Sequence, residues 1–324
     1  MGREATGQAA VRAENGRRAG PRVVSAFLLS PGGGSGYLFW AMFSSRLTRT
    51  DRSEIHADFP DQDTPYAWGA HLFAGLLMVA VLARGGHLLF NRDAAGWAWL
   101  DLAILLLAVA ATIFSQARRL PMQNVLVASS IMVGFGGLAF VIGGWIGVPF
   151  GAVAYPESMG FRLPGGVPWP LPLIWIVVLF NARSVGRLIF RPWRKSRTYG
   201  FRVIAMTCAL AFVFALALEP YASAFCHYWL WRTDHSVMNW YGAPWINFLG
   251  WVLVSLLILA FSTPFLLNKK PKKSPPFYQP LIIWITLQLW LAVGAAAGDL
   301  KTAVYFILFS LVATLSGALA GARW

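Results

Sequence analysis

Charge is what this sequence has least of: 12% of its residues are Asp, Glu, Lys or Arg, about half the usual share of a soluble globular domain. Acid is scarcer still, 13 Asp and Glu against 27 Lys and Arg, for a formal net charge of +14. With 57% hydrophobic residues and a mean hydropathy of +0.56, this composition excludes an ordinary soluble enzyme and a disordered chain. Cysteine is nearly missing, Cys208 and Cys226 being the two, which excludes a disulfide-stapled secreted module. If one helix carries both thiols they stand roughly 27 Å apart, at about 1.5 Å per residue, too far for a disulfide or a shared metal. No P-loop, GxGxxG, HExxH or GxSxG pattern occurs, so the common phosphate, dinucleotide, zinc-protease and serine-hydrolase signatures are absent. Asp58-x-x-Asp61-x-Asp63 is a loose likeness of a magnesium-diphosphate box. Without a second acidic box it reads as a solvated linker, against a membrane prenyltransferase.

What the sequence has in place of charge is long apolar runs. A helix crosses a bilayer with about twenty apolar residues, and eight stretches qualify: 66–89, 97–115, 124–146, 169–190, 200–218, 244–267, 280–298 and 302–322. Four of them, 124–146, 244–267, 280–298 and 302–322, contain no Asp, Glu, Lys or Arg. The expected fold is therefore all-α: a polytopic transmembrane bundle of about eight spanning helices joined by Gly-, Pro- and aromatic-rich outer loops. Residues 1–65 form a polar N-terminal tail with a short apolar segment, Val23 to Phe43, broken by Pro31-Gly32-Gly33-Gly34 and read as interfacial. Residues 66–324 form the helical domain.

The basic residues fall between the apolar runs, so they read as topology signals and anionic-lipid contacts and not as a nucleic-acid surface. Arg118-Arg119, then Arg191, Arg194, Lys195 and Arg197, then Lys269, Lys270, Lys272 and Lys273 occupy alternate connections. The positive-inside rule puts these connections and both termini in the cytoplasm of a bacterial cell. Arg183, Arg187, Arg191 and Arg194 recur at helical spacing, which predicts that the fourth helix continues into the interface with an arginine-lined face. On the opposite side lie the loops 147–168 and 219–243.

Those loops hold the residues of interest. The first is rich in Gly, Pro and aromatics but poor in charge, including Phe150, Tyr155, Glu157 and Trp169. Two readings fit it: an interfacial cap with an aromatic belt, or a segment lining a cavity inside the membrane. The second begins at Glu219, which ends an apolar run with Arg202 as its single other charge. A carboxyl at such depth is costly unless paired or protonated, and intramembrane acids default to functional sites. Trp229, Trp231, Trp240, Trp245 and Trp251 follow, each also readable as an interface anchor. Asp101, early in the second run, either caps its helix or pairs with Arg84. His71 and His87 stand alone, without ligand spacing.

Together the two loops carry a pattern. Pro149-Phe150-Gly151-x-x-x-Tyr155, Gly160, Gly166-Val167-Pro168 and Pro172-x-x-Trp175 form its first half. Glu219-Pro220, Tyr228-Trp229-x-Trp231 and Tyr241-Gly242-x-Pro244-x-x-Asn247-Phe248-x-Gly250-Trp251 form its second. This resembles the membrane-integral carotenoid biosynthesis family, which includes hydratases of gamma-carotene and of bisanhydrobacterioruberin. The likeness covers about 66–322, with specific motifs in 147–175 and 218–251. Where the family often has Asp before the proline this chain has Glu219, one methylene longer.

The resemblance implies cofactor-free, metal-free hydration of the terminal 1,2 double bond of an acyclic carotenoid. Such a reaction needs a proton donor in an apolar setting, aromatic faces for a tertiary carbocation, and a restricted supply of water. On this reading Glu219 is the donor, with Glu157 second. Phe150, Tyr155, Tyr221, Trp229, Trp231, Tyr241, Trp245 and Trp251 bind substrate and cation, and Asn247 holds the water. The expected partners are a carotenoid or other polyisoprenoid and membrane lipids; no feature indicates an oligomeric state. Two alternatives remain open: cyclisation or isomerisation of the same end by the same acid, or a transporter or lipid-binding protein without catalysis.

Overall fold

The computed structural model describes residues 65–324 apart from 92, 96, 157–159, 233–237 and 268–274. The N-terminal tail with its interfacial segment, the acidic run 51–63, Glu157 and the lysines at 269–273 lie outside the described residues, as does the boundary expected at 65.

Among the described residues eight α-helices follow one another: α1 (Pro65–Asn91), α2 (Trp99–Ala117), α3 (Met122–Ile146), α4 (Ile174–Ile189), α5 (Tyr199–Glu219), α6 (Trp245–Leu266), α7 (Gln279–Ala297) and α8 (Lys301–Ala322). Each, with short extensions of α4 and α5, is long and apolar enough to cross a membrane. The fold is thus an all-α polytopic bundle of an integral membrane protein. Its outer surface is apolar, as at Leu82 and Phe309, 73% and 75% exposed, which suits contact with lipid.

Proline and glycine punctuate the spans. Pro121 precedes α3, Pro244 precedes α6, and Pro280 sits in the first turn of α7, where a missing N–H costs nothing. Gly147 ends α3 in the left-handed conformation (φ 75°) and returns its N–H to Gly143, the usual helix stop. One expectation is corrected at α4. The helix stops at Ile189, and Arg191–Trp193 form a separate tight turn, because Pro192 disfavours helical geometry at the residue before it. Arg183 is not on an interfacial face either. It is buried and donates from Nη2 to the carbonyl of Leu266, 2.8 Å away, at the end of α6, where a cation complements the helix terminus.

Helix α4 is the hub, packing on α2, α3, α5, α7 and α8. Around it α1 packs on α2 and α7, α3 on α6, α5 on α6, and α7 on α8. Trp175 of α4 is fully buried and stacks 4.5 Å from Trp251 and 5.8 Å from Phe140. Such aromatic pairs contribute about 0.5–1.5 kcal/mol each beyond their buried area.

Four two-residue strands order the two long loops. β1 (Val153–Ala154) pairs antiparallel with β2 (Leu230–Trp231), Val153 opposite Trp231. β3 (Asn239–Trp240) pairs with β4 (Ala243–Pro244) around Tyr241-Gly242, both at positive φ (51° and 88°), as a tight hairpin turn requires. The β1–β2 pairing brings both loops to one end of the bundle.

Candidate active site

Helix α5 carries Glu219 to that end. The chain does not break at Pro220; it continues to Phe225 as a widened, π-type turn. Proline has no N–H and its ring crowds the carbonyl four residues back, here that of Leu216. That carbonyl instead accepts a hydrogen bond from Trp240 Nε1 at 3.0 Å. An indole from the neighbouring hairpin thus satisfies the backbone group that Pro220 frees.

Glu219 is 2% exposed. Its Oε2 accepts from Trp229 Nε1 at 3.0 Å and from Trp231 Nε1 at 2.9 Å, and its Oε1 from Asn247 Nδ2 at 2.7 Å. None of these partners is a cation. The two indoles converge from Trp229, in the bend before β2, and Trp231, in β2 itself, while Leu230 between them turns outward.

Beside the carboxyl lies a cavity of about 30 Å³, enough for one or two waters. Glu219 lines it together with Phe150, Tyr155, Trp229, Trp231, Asn247 and Trp251. Phe150 is held in place by close approach of the loop to α6: a Cβ on Gly250 would stand 2.8 Å from both its ring and the carbonyl of Pro149. Burial, and secondarily the nearby Glu219, push the Tyr155 phenol above its ordinary range, so it keeps its proton. The cavity is too small for a polyene. It has room for water, and a carotenoid end enters only by displacing that water or widening the walls.

Three residues expected at the site lie elsewhere. Tyr221 is two positions past Glu219 and so points to nearly the opposite side of the helix. Its ring packs 5.1 Å from Trp290, and its hydroxyl donates to Asp101 Oδ2 at 2.8 Å. Tyr241 meets Trp240 edge-to-face at 5.0 Å and accepts the Ala303 N–H at 3.2 Å. Trp245 rests against Phe248 at 5.4 Å and is 37% exposed. Conversely, Phe140, Gly143, Val153, Leu171 and Leu218 also line the cavity. Apolar and small, they carry no signal separating them from ordinary core.

A second polar cluster stands on the far side of the same loop. Arg84 of α1 grips Asp101 of α2 with Nε at 3.0 Å and Nη2 at 3.1 Å, and Nη2 also donates to Ala94 O at 2.7 Å. Of the two sequence readings of Asp101, pairing with Arg84 is the observed one. Tyr228 also donates to Asp101 Oδ2. Burial, then Asp101, push the Tyr228 phenol well above its usual range. The Cys226 thiol is pushed up to about 12 by burial and then by Asp101. Among the described residues no group of three His, Cys, Asp or Glu is placed to hold a metal ion.

Over 126 residues the chain is 30% identical to bisanhydrobacterioruberin hydratase of Haloarcula japonica, an alignment spanning 39% of this chain and 40% of that protein. No solved structure matches. The family described as "Carotenoid biosynthesis protein" matches residues 100–315, which are 216 of the 324 and include Asp101, Glu219 and both loops. With two thirds of its length so matched, and its eight apolar helices, this chain belongs to the membrane-integral carotenoid biosynthesis family.

Proposed function

We propose that the protein hydrates the terminal 1,2 double bond of an acyclic carotenoid end without a cofactor, with Glu219 as the proton donor. The observation that carries this is the setting of Glu219: buried, without a cationic partner among the described residues, held by three N–H donors, and bordering a water-sized cavity walled by aromatic rings. The π pair of the alkene takes the proton from the acid. A C–H bond forms at the less substituted carbon, the acid's O–H bond breaks, and a tertiary cation is left on the other carbon. The rings of Tyr155, Trp229, Trp231 and Trp251 face that charge. The indole N–H groups of Trp229 and Trp231 receive the carboxylate as it forms, which is preorganised electrostatic stabilisation. Water then attacks the cation, and its surplus proton returns to Glu219. The sum is addition of one water, and the acid is regenerated.

The proposal places the polyene between helices in the lipid, with its end at the cavity. It sets the site at the outer face of a bacterial cytoplasmic membrane, with both termini inside. Glu157 stands as a second acid on the same loop as Tyr155. Expression in a lycopene-producing bacterial host tests the reaction. Hydration yields a pigment heavier by one water and isomerisation or cyclisation one of unchanged mass. An unchanged pigment profile from folded, membrane-inserted protein rejects catalysis on this substrate class.

A further inference from the structure

The three donors on Glu219 are not equivalent. Trp229 and Trp231 both point at Oε2, and an indole nitrogen only donates, so Oε2 accepts whatever the state of the acid. A proton on Glu219 has its place on Oε1, facing Asn247. There the recorded contact is Asn247 Nδ2 donating at 2.7 Å, which suits a carboxylate and opposes an O–H. An amide differs from an indole in carrying a donor and an acceptor at the same reach, and a half-turn exchanges them. Asn247 is buried from the outside (2% exposed) yet lines the cavity, so the atom turned away from Glu219 has space and water to meet. Tyr155 is the other titratable group lining the cavity among the described residues, and it keeps its proton. Among the described residues lining the cavity no second ionisable group competes for the one in question.

We propose that the Asn247 amide turns over with each proton transfer. Oδ1 accepts the Oε1–H of the neutral acid before the step, and Nδ2 donates to the carboxylate after it. The inference rests on the reading of Glu219 as proton donor and assigns Asn247 a positioning role: it keeps the mobile proton on Oε1 and serves both charge states equally. An aspartate or a leucine at 247 serves one state at most.

Glu219→Gln copies the hydrogen-bonding shape of the neutral acid, its amide oxygen under the two indoles and its NH2 in place of O–H. If Asn247 turns, every polar atom is satisfied, and Glu219→Gln melts within a few degrees of wild type in detergent. If Asn247 is locked, two NH2 groups face each other. A large drop in melting temperature for Glu219→Gln, relieved by Asn247→Asp, then overturns the inference. Infrared difference spectroscopy supplies a readout that mere packing does not move. The protonated carboxyl band lost in Glu219→Gln shifts to higher frequency in Asn247→Leu, because its O–H has lost its acceptor. An unshifted band overturns the role of Asn247 and leaves Glu219 as donor untouched. Hydrated product from Glu219→Gln removes the donor assignment itself, and absence of any such band at every pH removes both.

Discussion

Two acids lie buried near the same end of this bundle, and their surroundings are opposite. Asp101 is gripped at both oxygens by Arg84 and capped by the hydroxyls of Tyr221 and Tyr228. Among the described residues Glu219 meets no cation, only indole and amide N–H groups, and it borders a cavity. A carboxylate gripped by a guanidinium and two phenols joins the elements that carry them. Asp101 ties α1, α2 and the segment after α5 into one unit. A carboxyl held by neutral donors keeps both charge states within reach. The segment 228–231 links the two, since Tyr228 faces Asp101 while Trp229 and Trp231 face Glu219. Asp101 thereby anchors the segment whose indoles hold Glu219.

The comparison breaks most sharply at Glu219. Glu219→Gln lowers hydrated product about 10²- to 10⁴-fold, the usual worth of a general acid, while purified protein keeps its melting behaviour. A full loss of fold would put Glu219 in the same class as Asp101. Next comes the ion pair. Asp101→Leu takes the carboxylate from the buried Arg84, at a cost of about 3–5 kcal/mol. The double replacement Arg84→Met with Asp101→Leu recovers much of that, as thermal unfolding in detergent will report. If Asp101→Leu instead melts like wild type and loses turnover, Asp101 acts at the reaction and not on the scaffold. Smaller is the effect of Trp229→Phe, which keeps the ring and removes one N–H from Glu219. A hydrogen bond to a charged group contributes about 1.5–3 kcal/mol, so kcat falls roughly ten- to a hundredfold with little change in KM. The smallest effect sharpens the electrostatic contrast: with its thiol pushed up to about 12 beside Asp101, Cys226 stays protonated. Its alkylation in folded protein therefore remains slow and nearly flat between neutral and mildly alkaline pH. Denatured protein reacts faster and with the ordinary thiol profile.

Much of this architecture was legible because membrane insertion is written in composition. A residue facing lipid must be apolar wherever it lies, so eight runs translate into eight helices without knowledge of their partners. Glu219 was legible for the same reason, as an acid where acid is expensive. The neighbourhood of Glu219 was legible in part. Trp229, Trp231 and Asn247 stood out as polar-tipped residues in a motif, but nothing in their spacing distinguished them from Tyr241 and Trp245, which pack elsewhere. Tyr221 shows the limit well. Its nearness in sequence suggested the site, and the turn of one helix sent it to Asp101.

The sequence by itself determined the solvent of this protein, the number of its long apolar runs and an acid at the end of one of them, because each follows from the cost of placing charge in hydrocarbon. The tertiary structure decided which end-loop residues meet. Only folding pairs Val153 with Trp231, gives the carbonyl freed by Pro220 to Trp240, and sorts two buried acids into one with a guanidinium and one without. Hydrogen bonds and ion pairs are matters of a few tenths of an ångström between segments far apart in the chain. That geometry exists only once the helices have packed.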